Sequence, residues 1–307
     1  MADVRAEVRE FLSSRRARLT PEQVGLPSFG GNRRVPGLRR EEVAMLSGVS
    51  VDYYVRLERG DIGGVSESVL DALATTLRLD EAEREYLFDL ARAAGPARTK
   101  RRARPAGPVR PAVQQVLDAI SDAPAWVRNG RHDILAANTL GRALYSPVFE
   151  DPRRPVNTTR FTFLNPAAHQ FWRDYDRIAH DGASMLRLEA GRNPHDPDLI
   201  NLVGELSTQS ELFRRHWASQ DVMFHRSGTK RLHHPVVGDL DLHFESMDLP
   251  SEPGLVLNVY TAPAGSPTAD ALAMLASWAA SGAVDETTVG VGGVDPDGSG
   301  SEKPTTP

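Results

Sequence analysis

Apolar positions in the first 95 residues recur at the three-and-four spacing of amphipathic helices. Val4, Val8, Phe11 and Leu12 predict a helix from Val4 to Leu19, closed by Thr20-Pro21. The Gly- and Pro-rich stretch from Gln23 to Gly37 predicts a loop. Two short helices follow, Leu38 to Ser47 and Val51 to Arg59, joined by Gly48-Val49-Ser50 and stopped by Gly60. Ser66 caps a further segment, Val69 to Leu79, and Asp80 caps the next, Glu81 to Ala94, which Gly95-Pro96 ends. Five helices predict an all-α domain over residues 1–95.

The pattern then changes. Residues 96–111 carry basic side chains and four prolines, which predict an extended linker. A helix is expected at Val113 to Ser121, then a hairpin from Ala125-Trp126-Val127 through Asn129-Gly130 to Asp133–Asn138. Helical spacing returns at Leu140 to Tyr145, Ala167 to Glu189, Pro197 to Leu206 and Ser210 to Ser219. Alternation predicts strands at Val222 to His225, Gly228 to His234, Leu240 to Leu249 and Leu255 to Tyr260, before a last helix from Thr268 to Ala280. Helices inserted between early and late strands predict an α+β domain over residues 112–280. Residues 281–307 lack periodicity and are expected to form a disordered tail.

Charge divides unevenly along this plan. Residues 1–110 balance at +4 and residues 111–307 at −9, so the first half is the candidate for a polyanionic partner. The chain has no cysteine, which excludes disulfides, thiolate metal sites and a cysteine nucleophile. No stretch reaches 18 uncharged apolar residues, and five arginines fall among the first twenty residues, so a cytoplasmic location without membrane contact is expected.

The segment Leu38–Gly60 has its own physical logic. Gly48 suits the positive φ of a tight turn, Val49 fills the crook between the helices, and Ala44 is small enough for close approach. Tyr54 and Leu57 repeat the inward stripe, which leaves Val51, Asp52, Tyr53, Val55 and Arg56 outward. A helix held this way presents its N-terminal half to a major groove while nearby arginines hold phosphates. The block, including its ending Arg56-Leu57-Glu58-Arg59-Gly60, resembles the helix-turn-helix of the Cro/repressor and Xre family. That resemblance implies a lambda-repressor-like all-α domain. It puts Arg40 where the family commonly has glutamine, and Asp52, Tyr53 and Arg56 where the recognition helix meets DNA. With Arg39 and Val51, these are the candidate DNA contacts. One such module reads only about 4 to 6 bases, so a homodimer on a near-palindromic double-stranded operator is expected, its half-sites about 34 Å apart.

Four stretches extend the likeness: Val35–Ala44, Gly48–Tyr54, Trp217–Val222 and Lys230–Gly238 resemble the MmyB-like regulators, over about residues 5 to 280. The resemblance implies a C-terminal α+β domain of PAS-like type that binds a small apolar, fatty-acid-like effector. Phe163, Trp172, Phe213 and Trp217 are candidates to line its pocket, and Arg187 to meet a ligand carboxylate. His233 and His234, as strand neighbours, point to opposite faces and cannot readily share a metal, so neither a metal site nor a cofactor is expected. Nucleophile-elbow, phosphate-loop and zinc-protease motifs are missing. A ligand-responsive transcription regulator is therefore expected rather than an enzyme. The competing class is an enzyme acting on a small molecule in its second half, with the first half serving localisation.

Overall fold

The computed structural model describes residues 3–27, 35, 37–95 and 109–288. Its first unit contains α1 (Val4–Arg18), α2 (Arg40–Leu46), α3 (Val51–Glu58), α4 (Glu67–Thr76) and α5 (Glu81–Ala94). The caps are local: the side chains of Asp3, Ser50, Ser66 and Asp80 accept from backbone N–H groups one turn inside α1, α3, α4 and α5. Val8, Phe11, Leu12, Val43, Ala44, Tyr54, Leu57, Leu73 and Leu87 close one core. A 3-10 turn, Glu22–Val24, occupies part of the expected loop. Residues 28–34 and 36 of that loop, and 96–108 of the expected linker, lie outside the described residues.

The second unit opens with α6 (Pro111–Ala119), β1 (Ala125–Arg128) and β2 (Ile134–Ala137). Next come α7 (Thr139–Leu144), α8 (Ser146–Glu150), α9 (Thr158–Leu164), α10 (Ala168–Phe171), α11 (Tyr175–Arg192), α12 (Pro197–Gln209) and α13 (Glu211–Ala218). It ends with β3 (Ser227–His234), β4 (Gly238–Asp248), β5 (Val256–Thr261) and α14 (Pro267–Thr288). The strands form one antiparallel sheet in the order β2-β1-β5-β4-β3. Strand alternation separates two faces. Trp126, Tyr260, Phe244, Leu242 and Leu232 pack under the inserted helices, while Ala125, Val127, Ala136 and Leu257 pack on Leu117 of α6. This is the α+β arrangement expected.

The structure departs from expectation in four places. The long helix expected from Ala167 to Glu189 is broken between α10 and α11, because Trp172 bridges to Leu232 and the Arg173 N–H donates to the Arg231 carbonyl at 3.2 Å. Pairing with the edge of β3 takes the backbone that a continuous helix would need. Two helices, α8 and α9, were not expected at all. The segment 222–225 is extended without strand partners, and Val222 and Phe224 instead join the core of the first unit. Finally, α14 runs to Thr288, past the Ser281 boundary of the expected tail. Ser277 and Ser281 hydroxyls donate back to the carbonyls of Ala273 and Ser277, which keeps them compatible with the helix. Residues 289–307 lie outside the described residues.

The two units meet along α11 and α5. The ring of Tyr86 sits where a Cβ on Gly191 would lie 2.5 Å from it, so only a glycine permits that approach. Leu188 enters the core of the first unit beside Tyr86. Around this contact Arg187 pairs with Glu7 at 2.5 Å, Arg192 with Glu85 at 2.8 Å, and Arg226 with Glu81 at 2.8 Å. Arg15 pairs with Glu83 at 2.7 Å and donates to the Gln220 carbonyl.

Among the glycines of the first unit at positive φ are Gly48 at 68° and Gly60 at 96°. A Cβ at Gly48 meets nothing within 4 Å, so Gly48→Ala should cost about 1 kcal/mol through backbone strain alone. At Gly60 a Cβ would also lie 2.6 Å from the Arg5 backbone, so Gly60→Ala should lower the thermal midpoint further than Gly48→Ala. Equal midpoints would contradict this ordering.

Candidate functional site

The turn between α2 and α3 is built from three residues. The Gly48 N–H donates to Met45 at 3.2 Å and the Val49 N–H to Ala44 at 3.0 Å, while the Ser50 hydroxyl accepts from Tyr53 N–H at 3.2 Å. Buried Ala44, Tyr54 and Leu57 hold α3 across α2. The opposite side of α3 faces solvent: Val51 is 44% exposed, Asp52 and Arg56 are exposed, and Tyr53 is half-buried against the core.

Glu58, at the end of α3, is buried and takes guanidinium groups from Arg16 at 2.9 Å and Arg40 at 3.2 Å. Arg16 also donates to the Leu38 carbonyl at 2.8 Å, so one carboxylate ties α1, α2 and α3 together. Burial alone would raise the carboxyl of Glu58. Hydrogen bonds from Arg16 and Arg40 outweigh it and hold the group below its ordinary range. Arg40 remains half exposed, Arg39 stands 3.8 Å from Glu41, and Arg56 pairs with Asp61 at 2.9 Å on the open surface. Surface pairs of that kind contribute little and open readily to a phosphate.

A second feature lies over the sheet. A cavity of about 50 Å³ is floored by Trp126, Arg128, Lys230, Asn258 and Tyr260 and roofed by α9 and α11 through Thr162, Asp181 and Met185. Lys230 Nζ stands 5.5 Å from the ring centres of both Trp172 and Phe244. Burial, reinforced by the charge of Arg128, pushes its amine down to about 7. Among the described residues neither Lys230 nor Arg128 has a carboxylate at ion-pair distance. Asp181, the acid on the cavity wall, leans instead to Arg177 at 3.8 Å and His180 at 3.5 Å. His132 and His225, also on the wall, are held neutral by burial.

Comparison with known families agrees with this geometry. Residues 7–87 match a helix-turn-helix domain model, and residues 109–275 match the MmyB-like transcription regulator ligand binding domain. The chain belongs to the MmyB-like transcription regulators. No curated protein matches it. It is thus a DNA-binding, ligand-regulated transcription regulator, and among the described residues no helix is long and apolar enough to cross a membrane.

Within this MmyB-like regulator the candidate DNA residues converge. Arg39, Arg40, Val51, Asp52, Tyr53 and Arg56 all lie on α3 or at the start of α2. The candidate pocket residues do not. Trp172 lines the cavity, with its indole N–H donating to Thr162 at 3.1 Å. Phe163, Phe213 and Trp217 form a separate cluster among α9, α11, α12 and α13. Arg187 lies 4.1 Å over the Trp217 ring and turns to Glu7, away from the cavity. Arg128 and Lys230 escaped sequence reasoning, although a signal exists: each is a cation at an inward position of an alternating strand, in step with Trp126 and Leu232.

Glu58→Gln should destabilise the chain by about 2 kcal/mol at pH 7, since hydrogen bonds to a charged group are lost. Because the folded carboxyl lies below its unfolded range, that contribution is present at neutral pH and fades as pH falls through the folded value. Denaturant unfolding at pH 7 and near pH 4 checks this: the gap between variant and wild type should shrink in acid, and a gap independent of pH would refute it.

Proposed function

We propose that this regulator binds its operator as a homodimer through the exposed side of α3, and that its effector is a small amphipathic carboxylate of fatty-acid type seated over the sheet. One observation carries the effector class: among the described residues neither Arg128 nor Lys230 has a carboxylate at ion-pair distance, and both face a single cavity above a floor of aromatic rings, with Asp181 on its wall as the nearest acid to Lys230. Two like charges, both half-buried, repel and are incompletely solvated. An anion between them relieves both penalties, and an apolar body attached to it finds Trp126, Trp172 and Tyr260. Homodimer formation follows from the small footprint of one recognition helix.

On the DNA side, Val51, Asp52 and Tyr53 take base edges in this reading, while Arg39, Arg40 and Arg56 take phosphates. On a duplex selected from a random pool by the full-length protein, Arg39→Ala, Arg40→Ala and Arg56→Ala should each weaken binding and reduce the salt slope by about 1. Three variants with the wild-type slope would sink these contacts.

On the effector side, a bound carboxylate raises the Lys230 amine above its free value of about 7, so only the protonated form binds well. Dodecanoate affinity should therefore fall as pH rises above 7, by up to about tenfold per unit until the bound-state value is passed. Calorimetric titration between pH 6.5 and 9 reads this, and Lys230→Gln should weaken binding and flatten the profile. A flat profile in the wild-type protein would overturn the assignment.

A further inference from the structure

The last helix, α14, has an outer side that is not polar. Its inner side, with Leu272 and Leu275, enters the core that also holds Trp126, Trp172 and Tyr260. On the outer side Ala273, Met274, Ser277, Trp278, Ala280 and Ser281 are all exposed, Met274 by 65% and Trp278 by 48%, whereas Trp126 and Trp172 are buried. No charged residue falls between positions 271 and 281. Exposed positions of α12 and α13, by contrast, carry Asp198, Glu211, Arg214 and Arg215. An exposed indole and thioether among small uncharged side chains form the kind of face that a protein partner covers.

We propose that a second copy of this chain covers this face, α14 against α14 across a two-fold axis. This rests on the reading of the operator complex as a homodimer. Three features select a second copy. A two-fold contact sets one surface against itself, so any charge on it meets its like. A face without charge escapes that penalty. The small side chains at 273, 277, 280 and 281 let two helices close to roughly 8–10 Å, and Met274 and Trp278, four positions apart, share one stripe for the contact. The chain's own continuation offers no large apolar group as a cover, because residues 289–307 hold no aromatic residue, leucine, isoleucine or methionine. A stripe of about three helical turns falls short of the roughly 800 Å² per partner of a standard interface. The pairing is therefore weak in free solution and is completed on DNA, where two half-sites hold the copies at high effective concentration.

The test measures binding of the full-length protein to a two-half-site duplex selected from a random pool, and to the same duplex scrambled in one half-site. Wild type should favour the intact duplex. Trp278→Glu and Met274→Glu set carboxylates against each other across the axis. Each should weaken binding to the intact duplex about tenfold or more and leave binding to the scrambled one unchanged. If both variants keep native circular dichroism and the wild-type preference, α14 is not the contact, and the homodimer stands. A wild-type protein that binds the two duplexes alike overturns both readings. Cross-linking gives a separate reading, because the chain has no cysteine of its own. On the intact duplex under mild oxidation, Ser277→Cys should form an intermolecular disulfide, and Gln209→Cys, exposed on α12, should not. Absence of a cross-link at position 277 contradicts the two-fold contact. Removing residues 289–307 should change nothing. A cross-link that forms only after their removal would put the tail on this face in the whole chain and overturn the pairing.

Discussion

A guanidinium withdrawn from water as fully as that of Arg187 must meet a countercharge, and its countercharge belongs to the other unit. Glu7 of α1 supplies it at 2.5 Å, and the Trp217 carbonyl and ring complete the surround. Separating the units would leave this buried charge without its partner, so the pairing makes docking a requirement of the α+β unit as well as of the helical one. The remaining junction contacts follow from it. With α11 held against α1, Gly191 admits the Tyr86 ring, Leu188 reaches the helical core, and Arg192 and Arg226 come level with the acidic start of α5.

The same helix roofs the cavity. Ile178, Asp181, Gly182 and Met185 face the sheet on one side of α11, while Arg187, Leu188 and Gly191 serve the junction. Eighteen residues of regular helix thus hold a ligand wall and a docking face in fixed relation. The helix-turn-helix has a parallel anchor in Glu58, which sets α1, α2 and α3 against one another from beneath. Each anchor is a buried ion pair between elements distant in sequence, and each leaves the adjoining surface free for binding.

Much of this was legible in the chain. The five N-terminal helices announce themselves through caps and periodicity, and Gly48-Val49-Ser50 through turn chemistry, because those forces act over a few residues. The hairpin at Asn129-Gly130 and the alternating strands are local in the same sense. What escaped depends on distant partners. Arg187 and Trp217 read as pocket residues because an arginine near aromatic rings suits a carboxylate, yet its acid, Glu7, lies 180 positions away. The segment 222–225 has strand composition but packs on another unit's core, and the helix expected from Ala167 breaks where a strand edge captures its backbone. Lys230 and Arg128 went unnoticed for the converse reason. Their meaning lies in what does not stand next to them, and a sequence does not display that.

The fit between Gly191 and the Tyr86 ring has a bearing on modularity. Regulators of this build look like two interchangeable cassettes, one reading DNA and one sensing a ligand. Here the seam is keyed by shape and by charge at once: a glycine opposite a ring, and arginines opposite Glu7, Glu81 and Glu85. A foreign cassette lacking those counterparts would strand a cation and wedge the seam apart, so recombination between such proteins succeeds only when α1 and α5 travel together with a matching α11.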